Sequence, residues 1–153
     1  MKHTCISLLL ANVVACTACL ATPVMYGYYP AWQSEAYPPA TVAADELTHV
    51  SHAFVYPDEA GTLVLPKGMS NAADVAALRG GGRKVLLAVG GGGAGSDAIG
   101  PALSAPTSYT AFLTQLVSHA RKRGYDGVEI DWEFPRDLRD RTNALFARMK
   151  ELR

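Results

Sequence analysis

The acidic segment Asp126–Glu133, with the sequence DGVEIDWE, constrains this chain more than any other because it holds four carboxylates in eight residues. Its Val, Ile and Trp residues, entered through a glycine turn, are typical of a β-strand. Side chains of a strand alternate between two faces, so we expect Glu129, Asp131 and Glu133 on one face and the apolar residues on the other. Successive side chains on one face start about 6.6 Å apart, a gap that long acidic side chains can bridge.

Three like charges on a buried face are costly, because they repel one another and burial disfavours each ionised form. At least one of these carboxyls is therefore expected to keep its proton to an unusually high pH. A protonated carboxyl beside ionised neighbours is what glycoside cleavage requires of its general acid. The alternative is an amphipathic edge strand whose acidic face lies in water, which the apolar flank and the surrounding chain disfavour.

The composition of the whole chain gives no indication of a nucleic-acid partner or an anionic membrane surface. Its 153 residues carry 14 basic and 14 acidic side chains, so the formal net charge is zero,. A hydrophobic content of 49% is that of a globular chain,. His49 and His52 lack the matched His or Glu spacing of a metal site, and we interpret both as ordinary polar positions.

Residues 1–21 have the pattern of a secretory signal: a basic start, an apolar run and small residues up to Ala21,. The apolar run is too short for a permanent membrane-spanning helix. All three cysteines lie in this segment, so cleavage after Ala21 would leave a secreted chain without cysteine. The alternative is a lipid-anchored envelope protein, since residues 13–16 (VVAC) resemble a bacterial lipobox that would lipidate Cys16.

Strand and helix patterns alternate through the rest of the chain. The run of residues 84–89 (KVLLAV) is continuously apolar after its first residue, as in strands buried on both faces of a parallel sheet,. Strands are expected at 24–29, 47–56, 84–89 and 126–133, and helices at 71–78, 107–123 and from about 138 to the end. This alternation predicts β/α units around a parallel sheet.

The two longer helices each show an apolar face. The face of the helix at 107–123 comprises Phe112, Leu113, Leu116, Val117 and Ala120, and that of the last helix comprises Leu145, Phe146 and Met149.

Residues at two strand ends are candidates for contact with a ligand. Tyr28 and Trp32 lie at the end of the first strand, where an aromatic ring can stack on a sugar or belong to the core; for Tyr28 the core is favoured. Gly90 and Gly91 follow the third strand, and glycine there lets the backbone pass close to a ligand or a neighbouring strand. The pattern of a phosphate-binding loop is absent from the sequence,.

The acidic segment resembles the signature Asp-Gly-x-Asp-x-Asp-x-Glu of glycoside hydrolase family 18, the chitinase family. Three further segments are similar to the first three strands of that family and occur in the same order: residues 28–32 (YYPAW), 47–54 (LTHVSHAF) and 84–91 (KVLLAVGG). The resemblance covers nearly all of residues 24–153. It implies an α/β fold, a partial (β/α)8 TIM barrel of roughly the first four β/α units, with the acidic segment on the fourth strand. Residues 22–153 would be a truncated catalytic domain.

The resemblance also implies roles for the acidic residues. Glu133 would be the general acid that protonates the glycosidic oxygen and later acts as the base. Asp131 would orient the N-acetyl group of the substrate, and Glu129 would share a proton with Asp131. The N-acetyl group itself would be the nucleophile, which makes the reaction substrate-assisted and retaining. Asp126 and Gly127 would be structural, holding the entry turn of the motif.

The substrate implied is chitin or a chitooligosaccharide, that is, β-1,4-linked N-acetylglucosamine. Trp32 would stack on a sugar, Tyr28 and Phe54 would line the floor of the cleft, and the backbone at Gly90 and Gly91 would border it. The mechanism implies no metal and no cofactor.

The sequence departs from the family pattern in three respects. Glu129 stands where the family has Asp and reaches about one methylene further, and Ala88 replaces a Ser whose hydroxyl would join the carboxylate network. The third departure is length, since a barrel of this type takes about 250 residues and this sequence has 153. The Met-x-Tyr-Asp motif and late Trp of the family belong to the second half of that barrel. The expected function is therefore a chitinase-type glycosidase. The alternatives are an inactive half-barrel fragment and a lectin-like chitin- or glycan-binding protein, the latter disfavoured by Glu133.

Overall fold

The computed structural model describes residues 23–43, 46–133 and 139–151. The predicted signal at 1–21 lies outside the described residues, as do the first residue and residues 152–153 of the predicted last helix. The described strands are β1 (Tyr26–Pro30), β2 (His49–Pro57), β3 (Leu63–Val64), β4 (Lys84–Gly90) and β5 (Gly127–Asp131). The described α-helices are α1 (Ala72–Leu78), α2 (Ala94–Ala102), α3 (Pro106–Arg123) and α4 (Arg139–Glu151).

Four of these strands form a parallel sheet in the order β1-β2-β4-β5, and the short β3 pairs antiparallel with β2. The predicted alternation of strands and helices around a parallel sheet is confirmed. Because parallel strands end at the same edge of a sheet, Pro30, Gly90 and Asp131 lie at one edge, where β1, β4 and β5 terminate. That edge is where ligands bind in β/α barrels.

The helices α3 and α4 cover one face of the sheet. Four of the five residues predicted for the inner face of α3 are buried, and Val117 is half-buried. In α4, Leu145 is buried and Met149 packs against the same core cluster, as predicted. The prediction for Phe146 is wrong, since its side chain is 53% exposed. Phe146 lies about 100° around the helix from the buried Leu145, and in α4 this direction faces solvent.

Helix α2 was not predicted. Its sequence, AGSDAIGPA, contains two glycines and a proline, which have the weakest helix propensities,. The helix is held by tertiary packing, because Ile99 and Ala102 are fully buried beside the sheet. Within the described ranges, none of the helices has both the length and the hydrophobicity required to cross a bilayer.

Candidate active site

Strand β5 presents its carboxylates on the face opposite to the helices. In the parallel register Ala88 pairs with Glu129, and Gly90 pairs with Asp131. Glu129 and Asp131 are half-buried, and Glu133, two residues beyond the end of the strand, is exposed. The other face of the segment packs against the main core cluster through Val128, Ile130 and Trp132. The chain therefore carries an inner face lined by acids and an outer face covered by helices, as the alternation predicts.

One carboxylate oxygen of Glu129 is hydrogen-bonded and the other is buried. The phenol of Tyr28 donates a hydrogen bond of 2.9 Å to its Oε1, whereas Oε2 is buried and has no hydrogen-bond partner in the described part of the chain. Burial raises the pKa of Glu129; the hydrogen bond from Tyr28 lowers it and the charge of Asp131 raises it, with a net upward shift. Glu129 is thus the member of the acidic row whose environment favours the protonated form.

The register explains why Oε2 of Glu129 lacks a donor. Ala88 lies directly beside Glu129 on the inner face of the sheet and is fully buried. A serine at this position would carry a hydroxyl next to the carboxyl, and the methyl of alanine offers none.

An aromatic wall flanks the acids. We use this name for Tyr28, Trp32 and Phe54. The rings of Tyr28 and Phe54 lie 5.8 Å apart between centroids, and those of Trp32 and Phe54 stack at 6.3 Å with an interplanar angle of 23°. Tyr28 and Trp32 are 49% and 55% exposed, so the core position favoured for Tyr28 is wrong. The wall presents flat, apolar rings to solvent beside a row of carboxyls.

Tyr26 extends the wall along β1 and was missed by the sequence analysis. It lies two residues before Tyr28, and the two rings meet edge-on with centroids 5.5 Å apart. Its phenol hydrogen-bonds the hydroxyl of the buried Ser51 on β2. The signal that could have found it is the period of two that places Tyr26 and Tyr28 on one face.

Positions 90 and 91 require glycine, because neighbouring groups leave no room for a Cβ atom there. Both have positive φ, 107° and 77°, a region that favours glycine. A Cβ on Gly90 would come within 2.2 Å of the carbonyl oxygen of Asp131, and one on Gly91 within 2.8 Å of the ring of Phe54. The sequence predicted that these glycines let the backbone approach a ligand or a neighbouring strand. In the structure Gly90 lies against the neighbouring strand β5, and Gly91 lies against Phe54 of the aromatic wall.

The Glu133 carboxylate lies at the carboxyl edge of the sheet, over the loop that follows β4. A Cβ built on Gly92 would be 3.5 Å from its Oε2. The backbone N–H of Glu133 donates a 2.7 Å hydrogen bond to Oγ of Ser96 in α2. Ser96 was not predicted, since the sequence shows only a small polar residue in a glycine-rich stretch.

Asp126 lies at the opposite end of β5 from the acidic row. Its carboxylate accepts a 2.9 Å hydrogen bond from the Val85 N–H and pairs with Arg79 at 2.7 Å and Lys84 at 3.2 Å. Burial raises the pKa of Asp126, but these three donors outweigh it and lower the pKa to about 2. Asp126 joins the start of β5 to the start of β4, and Gly127 follows as the first residue of β5.

His49 and His52 each make a polar contact with a hydroxyl group. Nδ1 of His49 lies 2.9 Å from Oγ1 of Thr48, and Nδ1 of the buried His52 lies 2.8 Å from the phenol oxygen of Tyr125. Across the residues that the structure describes, no three His, Cys, Asp or Glu side chains come together in a group that could hold a metal ion.

Residues 24–153 match the family described as glycosyl hydrolases family 18. The chain belongs to this family. A chitinase-like effector from Moniliophthora roreri is 33% identical over 129 residues, covering 78% of this chain and 31% of the relative. Class V chitinase CHIT5a from Medicago truncatula is 30% identical over 142 residues, covering 83% of this chain and 36% of the relative. The chain spans about a third of the length of these curated relatives.

Solved structures of the family share the fold. The family 18 chitinase of Cycas revoluta, in complex with allosamidin, superposes with a TM-score of 0.77 at 22% identity, over 85% of this chain and 40% of that chain. Human YKL-39, a pseudo-chitinase with retained chitooligosaccharide binding, superposes with a TM-score of 0.72 at 17% identity, over 85% of this chain and 38% of that chain. The predicted partial β/α barrel is confirmed.

Proposed function

We propose that this family 18 chain carries a chitinase-type glycosidase site that acts on chains of β-1,4-linked N-acetylglucosamine. The observation that carries the proposal is the pair Glu129 and Asp131 on β5, followed by Glu133 just beyond the strand end, with the exposed rings of Tyr28 and Trp32 nearby. Aromatic faces suit the apolar faces of sugar rings, and carboxyls supply the acid and the charge stabilisation that glycoside cleavage needs.

In this mechanism each carboxyl has a separate task. The exposed Glu133 gives its proton to the glycosidic oxygen as the bond to the anomeric carbon breaks. The carbonyl oxygen of the substrate N-acetyl group bonds to that carbon and forms an oxazolinium ion, whose positive charge Asp131 stabilises. Glu133, now ionised, takes a proton from the water that opens the ring. Burial raises the pKa of Glu129 and so favours its protonated form beside Asp131, while Tyr28 donates a hydrogen bond to its Oε1.

A second candidate is glycan binding without turnover. The aromatic wall would hold a sugar whether or not the acids complete the reaction, and its two exposed rings favour such binding. The relatives include proteins described as chitinase-like effectors and as a pseudo-chitinase. Both functions require the protein to reach chitin. We propose that residues 1–21 direct its export for this purpose.

The deciding experiment combines turnover and binding. Release of chromophore from a chromogenic chitotrioside is measured for the wild type, Glu133→Gln and the matched control Glu59→Gln, an exposed glutamate near the turn after β2. Binding of chitotriose is followed by tryptophan fluorescence in the same three proteins.

The glycosidase proposal expects turnover by the wild type and by Glu59→Gln. Glu133→Gln should lose about 10²–10⁴-fold, the usual contribution of general acid catalysis. Binding is expected in all three proteins. Binding without turnover in the wild type supports the second candidate, and equal turnover by Glu133→Gln contradicts the role of Glu133.

A further inference from the structure

A buried serine from α2 lies under the backbone that carries the proposed acid. Oγ of Ser96 accepts a 2.7 Å hydrogen bond from the N–H of Glu133 and donates a longer one, 3.4 Å, to the carbonyl oxygen of Asp131. Ser96 is only 4% exposed. One hydroxyl thus contacts the backbone on both sides of Trp132, between the two acids that the mechanism uses.

The sheet itself leaves the Glu133 N–H without a ladder partner. The register between β4 and β5 ends at Gly90 and Asp131. One more rung follows, from the Gly91 N–H to the Asp131 carbonyl oxygen at 2.9 Å. The chain then continues through Gly92 into α2, so the Glu133 N–H donates its hydrogen bond to a side chain, the hydroxyl of Ser96. Ser96 takes the place of the rung that a longer β4 would supply.

The approach of α2 to the sheet depends on Gly95. A Cβ on this residue would lie 2.0 Å from the carbonyl oxygen of Gly90, which is closer than any real contact. The first turn of α2 can therefore touch the end of β4 only with glycine at this position. That contact brings the adjacent Ser96 within hydrogen-bond distance of Glu133.

We propose that Ser96 is a positioning residue that fixes the backbone direction at Glu133 and so holds its carboxylate over Gly92. The proposal rests on the proposed function in one respect, the role of Glu133 as the acid. Ser96 itself touches no substrate, since its hydroxyl is buried and occupied by backbone groups. Its removal is expected to lower the chemical rate and leave the aromatic wall, and with it substrate affinity, unchanged.

The first test measures the hydrogen bond directly and needs no activity. Amide hydrogen exchange of Glu133 is followed by NMR in the wild type, Ser96→Ala, Ser96→Thr and Ser108→Ala. Ser108 is the matched control, a buried serine of the next helix whose Oγ donates to the carbonyl oxygens of Ala102 and Ala105.

Ser96→Ala is expected to speed exchange of the Glu133 amide by about tenfold, which corresponds to one ordinary hydrogen bond. Ser96→Thr keeps the hydroxyl and should restore slow exchange, and Ser108→Ala should leave this amide unchanged. Unaltered exchange in Ser96→Ala overturns the proposal. If that variant does not fold, Ser96→Cys replaces it, because a thiol is a weak acceptor and should give the same faster exchange.

The second test separates positioning from general structure by kinetics on the chromogenic chitotrioside. Ser96→Ala is expected to lower kcat by about tenfold with KM unchanged, since a small misplacement of a catalytic group is costly. Ser96→Thr should recover the rate, and Ser108→Ala should match the wild type. Equal loss of kcat in Ser96→Ala and Ser108→Ala overturns the positioning role. An inactive wild type contradicts the proposed function alone, and the exchange measurement then still decides whether Ser96 holds Glu133.

Discussion

The phenol of Tyr28 on β1 donates a 2.9 Å hydrogen bond to Oε1 of Glu129 on β5, although β2 and β4 lie between these two strands in the sheet. The contact is possible because the sheet curves, as a barrel wall does, so that inner-face side chains of its outer strands converge. Burial together with the Glu129 carboxylate raises the pKa of Tyr28, so the phenol remains a donor. The pair therefore links the aromatic wall to the acidic row.

Tyr28→Phe should raise the pKa of Glu129 further, because the hydrogen bond from the phenol favours the ionised carboxyl,. The measurement is a carbon-13 NMR titration of the Glu129 carboxyl. Tyr37→Phe is the control, since the phenol of Tyr37 donates to the Thr41 carbonyl oxygen at 3.3 Å, away from the acids. A Glu129 titration that is identical in wild type and Tyr28→Phe contradicts the role of this hydrogen bond.

Ala88→Ser should act in the opposite direction. The new hydroxyl would lie beside Glu129 in register and offer a donor to the buried, unpartnered Oε2. A hydrogen bond to the ionised form lowers a carboxyl pKa, so Glu129 should titrate at lower pH than in the wild type. The same NMR titration measures the change, with Ala102→Ser as a buried control in α2. A pKa of Glu129 that stays the same or rises in Ala88→Ser would show that the missing hydroxyl does not set its protonation.

The acidic row was predictable because it depends on one local rule. A strand alternates its faces, so Glu129, Asp131 and Glu133 share a face whatever surrounds them. The environment of each acid was not predictable in the same way. The burial of Oε2 of Glu129 and the hydrogen bond from Tyr28 to its Oε1 follow from the curvature of the sheet across four strands. No local sequence pattern encodes that curvature.

Helix α2 and Phe146 show where local patterns fail. The sequence of α2 disfavours a helix, and its formation depends on the close contact of Gly95 with Gly90 and on burial of Ile99. In α4, the adjacent apolar residues 145 and 146 differ in burial, and the sequence pattern alone does not say which one faces the sheet. Tertiary packing decides both cases.

Asp126→Asn should destabilise the chain and leave the acidic row in place, because Asp126 lies at the far end of β5. The pKa of Asp126 is about 2 in the folded chain against 3.8 as its ordinary value, so its stabilising contribution is present above pH 3.8 and lost as the pH falls through 2. Because Asp126 is exposed and solvent screens its ion pairs, the expected loss of unfolding free energy at neutral pH is about 1 kcal/mol,. Urea denaturation measures it. Asp140→Asn, at an exposed pair with Arg139, is the control, with an expected cost below about 0.5 kcal/mol.

His52 should make the stability of the chain fall in mild acid. Its ring is buried and Nε2 has no hydrogen-bond partner among the described residues; burial first, and His119 second, lower its pKa to about 4 from 6.5. Between pH 6.5 and 4 the unfolded chain binds a proton that the folded chain does not, so the free energy of unfolding decreases as the pH falls. The loss should reach about 3 kcal/mol by pH 4, and urea denaturation at pH 7 and pH 4.5 measures most of it. His52→Gln should remove most of this pH dependence, because glutamine does not titrate, whereas His49→Gln should retain it. An equal loss of stability in wild type and His52→Gln would assign the acid sensitivity to other groups, of which His119, whose pKa burial also lowers, is the first to test.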